Sequence, residues 1–142
     1  MPAVNTYTYE ELETGLTAEM EHRFSEEHLT AFCEMTNDTH PLHTDRAYAE
    51  AHGFEGVIAH GALISSYCSG IIGLYLPGEN AIIVSQEFKF RKPLYPGEEI
   101  VVRGEIKEKE DRFKTITVAV KVRKKSDQSL VASGSYKVKL RK

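Results

Sequence analysis

An excess of basic residues is missing from this chain: 18 Lys and Arg stand against 21 Asp and Glu, a formal charge of -3. It therefore lacks the electrostatic footprint of a nucleic-acid partner. No apolar run approaches the roughly 18 residues that would span a bilayer, and the polar start MPAVNTYTYEE lacks the basic and apolar regions of a secretory signal. The expectation is a cytoplasmic protein with no membrane partner. Cysteine is scarce. Cys33 and Cys68 are the only two, each inside a predicted helix, where they read as small buried hydrophobes rather than a disulfide or a zinc knuckle. A glycine-rich phosphate loop is also absent, which removes support for nucleotide hydrolysis and dinucleotide binding, and no cofactor is expected.

What is present suffices for one core. The 142 residues contain no internal repeat or linker, so residues 1–142 are read as a single domain. A short strand over Glu19 to Phe24 precedes a helix capped by Ser25, with Leu29, Phe32 and Met35 as its apolar positions. Asn37 suits a left-handed exit from that helix, and Pro41 pushes His40 out of the helical region. Asp45 caps a second helix from Arg46 to His52, stopped by Gly53.

From Gly61 to Leu76 the chain is apolar almost all round, the pattern of a buried helix, and Pro77-Gly78 ends it. The period then changes to that of strands: Ala81 to Phe90, then alternating runs through Ile100, Val102 and Ile106, through Ile116 to Val122, and through Leu130 to Leu140. Strands following one buried helix predict an α+β fold, an antiparallel sheet curved round that helix. The edges of such a sheet call for cover, and a homodimer is the simplest way to supply it.

Chemistry concentrates in Asn37-Asp38-Thr39-His40-Pro41-Leu42-His43. A carboxylate and a neutral imidazole converging on one water can remove and return a proton near neutral pH without a metal. Taken singly, Asp38 would read as a turn former and His43 as a surface histidine. A zinc site from His40, His43 and Asp45 is disfavoured, because their spacing fits no helical ligand pattern and Asp45 is better used as a cap.

That run, followed by Ala49, by Ile58-Ala-His-Gly61, by a buried helix, by Leu76-Pro-Gly78 and by Phe88-Lys-Phe-Arg-Lys-Pro93, resembles the MaoC-like (R)-specific enoyl-CoA hydratases of hot-dog fold. The family loop usually reads Gly-Asp-x-Asn-Pro-Leu-His. Here Asn37 stands for the glycine, and His40 stands for an asparagine whose side chain helps shape the loop. The resemblance implies an acyl-CoA or acyl carrier protein thioester as substrate. It carries catalytic roles onto Asp38 and His43, a backbone oxyanion donor onto Gly61, and a serine that hydrogen-bonds near the aspartate onto Ser69.

His60 is given mainly a structural role at the helix entrance and, with His40, is placed beside the substrate; Arg91 and Lys92 are candidates for phosphate contacts. The implied reaction is reversible hydration of a trans-2-enoyl thioester. A non-catalytic acyl-CoA-binding protein or a thioesterase is the alternative. Thioesterases of this fold usually carry a carboxylate on the buried helix, and Gly61 to Leu76 has none.

Overall fold

The computed structural model describes residues 3–142; residues 1 and 2, where the polar start begins, lie outside the described residues. Strand β1, Thr17–Arg23, alternates half-buried and exposed positions, with Glu19, Glu21 and Arg23 on the outer side. It pairs antiparallel with β3, Glu99–Glu110. Strands β4 (Thr115–Lys124), β5 (Leu130–Leu140) and β2 (Ala81–Phe90) complete one sheet in the order β1-β3-β4-β5-β2. Every neighbouring pair is antiparallel. The predicted α+β architecture is therefore present, and the strand periods read from sequence point the expected side chains inward: Val102, Ile106, Val118, Val120, Val122, Ala132 and Val138 are all buried.

The central helix lies against that inner face. It begins as α4, Gly61–Ser66, passes through a turn at Tyr67 and Cys68, and ends in a π turn over Ile71–Tyr75, where Leu76 N–H reaches the Ile71 carbonyl at 2.8 Å. Ile64, Cys68, Ile71 and Ile72 are buried beneath the sheet. Gly104 on β3 sets the approach: a Cβ there would sit 2.5 Å from the Ile71 methyl, so only glycine lets the helix seat so closely. Cys33 and Cys68 are buried and unpaired, as expected, and burial pushes the Cys68 thiol up to about 12.

Helix α1, Glu26–Thr36, follows β1. Ser25 Oγ accepts from the His28 N–H at 3.2 Å, and Asn37 closes the helix at φ 61°, ψ 13°, the left-handed exit its residue type suggested. Met35 corrects the expected apolar stripe, being 75% exposed. Leu29, Phe32 and Cys33 occupy positions i, i+3 and i+4 and define the buried side, whereas Met35 falls off it at about 100° per residue. A second correction concerns the segment after Asn37: Pro41–Thr44 winds into a single helical turn, α2, and His43 is carried on that turn rather than on an irregular loop. Helix α3, Arg46–Ala51, is capped by Asp45, whose Oδ1 accepts from the Tyr48 N–H at 3.1 Å.

Candidate active site

Asp38 leaves α1 immediately after the left-handed Asn37. Its own N–H contacts Thr36 Oγ1 at 3.2 Å, and its Oδ1 accepts from the His40 N–H at 3.3 Å, a local turn that holds the carboxylate beside the next residues. His40 caps α2. Its Nδ1 accepts from the Leu42 N–H at 3.1 Å, which is the capping function a side-chain oxygen would perform. The imidazole in place of asparagine thus preserves the turn. Pro41, at the first helical position, has no N–H to leave unsatisfied.

His43 is oriented by the segment before the central helix. Ile58 N–H donates to the Leu42 carbonyl at 3.0 Å, and Ala59 N–H donates to the Leu94 carbonyl at 2.9 Å, so residues 58–60 are tied to both α2 and the β2–β3 connection. From that frame the Ile58 carbonyl accepts from His43 Nδ1–H at 2.7 Å. A carbonyl can only accept, so Nδ1 carries the proton and Nε2 presents a lone pair. Burial lowers the His43 pKa below its ordinary 6.5, partly opposed by the Ile58 hydrogen bond and by the nearby Asp38 carboxylate. Burial thus favours the neutral form of the ring.

His60 completes the cluster. It is 3% exposed, its Nε2–H donates to the Asp38 main-chain carbonyl at 2.9 Å, and its ring stacks on His43 with centroids 3.7 Å apart and planes 19° from parallel. One polar atom from each of Asp38, His43 and His60 lies within 4.8 Å of the others. His60 Nε2 is engaged with the Asp38 main-chain carbonyl and His43 Nδ1 with the Ile58 carbonyl, which leaves one nitrogen of each ring free. In the set His40, His43 and Asp45, His40 Nδ1 and Asp45 Oδ1 are engaged as helix caps.

Gly61 opens the central helix, whose first intrahelical bond runs from Ile64 N–H to the His60 carbonyl at 3.1 Å. Its own N–H therefore precedes the hydrogen-bonded turns. A Cβ at Gly61 would lie 3.1 Å from the Phe90 ring, so the end of β2 packs against the helix entrance. A groove of about 620 Å³, lined by Leu29, Cys33, Asn37, Thr39, His43 and Val57, adjoins the cluster.

The structure brings Asp38, His40, His43 and His60 together and leaves other expected residues apart. Ser69 lies exposed on the central helix and makes no side-chain hydrogen bond among the described residues, to Asp38 or otherwise. Arg91 and Lys92 follow Phe90 and are exposed. Their N–H groups donate to the Val131 carbonyl, and neither side chain forms an ion pair among the described residues. Two features escaped the sequence. The Ile58 carbonyl that fixes the His43 tautomer has no sequence signature, being main chain. The stacking of His60 on His43 joins residues 17 apart, and its only trace was the position of His60 directly before Gly61.

A helix buried under an antiparallel sheet is the arrangement of the hot-dog fold. Residues 8–128 match the MaoC like domain family, and the chain belongs to it. It is 37% identical over 95 residues to the (R)-specific enoyl-CoA hydratase of Aeromonas caviae, an alignment covering 67% of this chain and 71% of that protein. The R-hydratase PhaJ1 of Pseudomonas aeruginosa superposes with a TM-score of 0.87 at 31% identity, over 96% of this chain and 87% of that one. A mitochondrial 3-hydroxyacyl-[acyl-carrier-protein] dehydratase of Arabidopsis thaliana is 44% identical over 78 residues, 55% of this chain and 46% of that protein. No helix among the described residues is long and apolar enough to cross a membrane.

Proposed function

We propose that this chain is an (R)-specific 2-enoyl-CoA hydratase, acting as one hot-dog domain on trans-2-enoyl thioesters and, in reverse, dehydrating (R)-3-hydroxyacyl thioesters. The observation that carries this reading is the His43 ring, its Nδ1–H fixed on the Ile58 carbonyl and its Nε2 left bare, with a ring nitrogen within 4.8 Å of an Asp38 carboxylate oxygen. His43 Nε2 accepts a proton from water as the oxygen attacks C3, while Asp38 orients that water. C2 then receives a proton from the pair, so that H and OH of one water are added across the double bond. The thioester oxygen gains enolate charge in between, and the Gly61 N–H at the helix entrance is the donor assigned to it.

The Aeromonas caviae relative is named for an enoyl-CoA and the Arabidopsis thaliana relative for a 3-hydroxyacyl-[acyl-carrier-protein], which supports that substrate class. Arg91 and Lys92 remain the assigned phosphate contacts, Ser69 and His40 the assigned supports of the site. A thioesterase is the less favoured reading, because the central helix carries no carboxylate.

Two measurements with wild-type protein separate these readings. Loss of the conjugated absorbance of crotonyl-CoA, without release of free thiol, is expected. Thiol release at a rate matching the absorbance loss would replace the hydratase by a thioesterase, and absence of both across short and medium chains would remove the enzyme reading.

We also propose a homodimer formed through β2. The two sheet edges differ: β1 is guarded by Glu19, Glu21 and Arg23, whereas β2 exposes Ile82, Ile83 and Val84. Val84 is 63% exposed at a register shift in the β2–β5 pairing. Val84→Lys should halve the mass seen by light scattering, and an unchanged mass would move the interface elsewhere.

A further inference from the structure

His60 touches both residues on which the proposed chemistry depends, and it touches them in different ways. Its Nε2–H holds the main chain of Asp38 through the carbonyl at 2.9 Å, while its ring face lies 3.7 Å from the ring of His43. Phe32 packs against it with centroids 4.8 Å apart, and the Cys33 thiol lies 3.7 Å from Nε2, so the ring is enclosed on the protein side. We propose that His60 is a positioning residue that fixes the separation and relative orientation of Asp38 and His43 without touching substrate. This rests on the hydratase reading of the site and adds to it a residue that the mechanism above does not use.

The geometry explains why both contacts are needed. The Ile58 hydrogen bond fixes one atom of the His43 ring, but the terminal torsion of a histidine is broad, and a single bond leaves the ring free to rock about that atom. A second ring lying flat against it removes that freedom. Asp38 is exposed, and among the described residues its side chain is engaged only by the His40 N–H. The bond from His60 to its carbonyl therefore joins the carboxylate residue to the buried helix entrance. Misplacement of reacting groups by about 1 Å can lower a rate by roughly 10²-fold, so the tie matters to chemistry as well as to folding.

One further observation supports a role beyond packing. In the neutral ring, donation from Nε2 to Asp38 leaves the lone pair on Nδ1, which is buried and has no partner among the described residues. A buried acceptor left unpaired is unfavourable, and phenylalanine would fill this space without that penalty. What phenylalanine would not supply is the Nε2–H donor.

Two substitutions divide the contacts. His60→Gln keeps an amide donor but loses the ring; His60→Phe keeps the ring but loses the donor. With crotonyl-CoA, each is expected to lower kcat by about 10- to 100-fold while KM stays within about threefold. His60→Gln should also move the acid limb of kcat/KM to higher pH. Opening the packed face hydrates His43 and relieves the burial that lowers its pKa, while the groups facing it, Asp38, His40 and the Ile58 carbonyl, stay in place.

An active wild type with both variants keeping kcat and the pH limb, whatever their thermal midpoints, would overturn the proposal. A wild type inactive on all enoyl-CoAs would instead defeat the hydratase reading. For that case, or if the variants do not fold, nitrogen-15 NMR of the wild-type histidines decides. His60 should be protonated at Nε2 and bare at Nδ1, and His43 the reverse. The opposite His60 tautomer would overturn the clamp.

Discussion

The sheet with its helix and the short segment 37–43 are held in opposite ways. In the sheet and helix, position is fixed by many apolar side chains at once: Ile71, Ile72, Val102, Val118 and Val138 are all fully buried, and no single polar contact decides the packing. In the segment, three side-chain atoms each hold a single partner: Asp38 Oδ1 with the His40 N–H, His40 Nδ1 with the Leu42 N–H, His43 Nδ1–H with the Ile58 carbonyl. The first region distributes its stability; the second assigns each group one job. Changes in the helix and sheet should therefore move stability and spare the rate of the folded protein, while changes in the segment should do the reverse.

The largest expected effect on stability tests the first half of that contrast. Ile71→Ala removes a fully buried side chain packed against Gly104. It should lower unfolding free energy by about 2–5 kcal/mol in a urea titration. Against a total of about 5–15 kcal/mol this is a large share. The kcat of the protein that remains folded should be unchanged, and a proportionate loss of kcat would show that core and site are not separable.

A smaller effect is expected at His40. His40→Ala removes the α2 cap and should lower stability by about 1 kcal/mol, with a larger fractional loss of kcat. His40→Asn supplies a capping oxygen and should recover both. If asparagine behaves like alanine, the imidazole does something at this position other than capping.

The smallest effect concerns pH. His43 and His22 both have their pKa lowered, chiefly by burial. The folded state then binds protons less readily than the unfolded one. Stability from these groups is full above the ordinary value of 6.5 and erodes as pH falls below it. The acid limb of kcat/KM should likewise lie below 6.5, since the neutral form of His43 is the base. An acid limb above that value would mean that the Asp38 carboxylate, and not burial, governs His43.

Much of the helix and sheet was legible because periodicity is a property of sequence. Strands β3 to β5 alternate, the central helix is apolar almost all round, and Ser25, Asn37 and Asp45 cap by residue type. Met35 misled because a spacing of three alone does not separate the centre of a stripe from its margin. The closeness of Asp38 and His43, the candidate pair, was legible, since a short proline-containing run keeps them together. How the pair is oriented was not, because it depends on the Ile58 carbonyl and on a stack between His43 and His60, both set by how residues 58–60 are anchored to α2 and to Leu94. His40 was legible as a departure, but its capping bond required the turn that only the structure displays.

The central claim is that Asp38 and His43 work on one water as a unit. Initial rates of crotonyl-CoA hydration by Asp38→Asn, His43→Gln and the double variant test it most directly, with folding checked by circular dichroism. Each single substitution should lower kcat by about 10²- to 10⁴-fold, and the double variant should be about as slow as the slower single one, because either loss disables the pair. Wild-type turnover in either single variant, or losses that multiply in the double, would contradict the account.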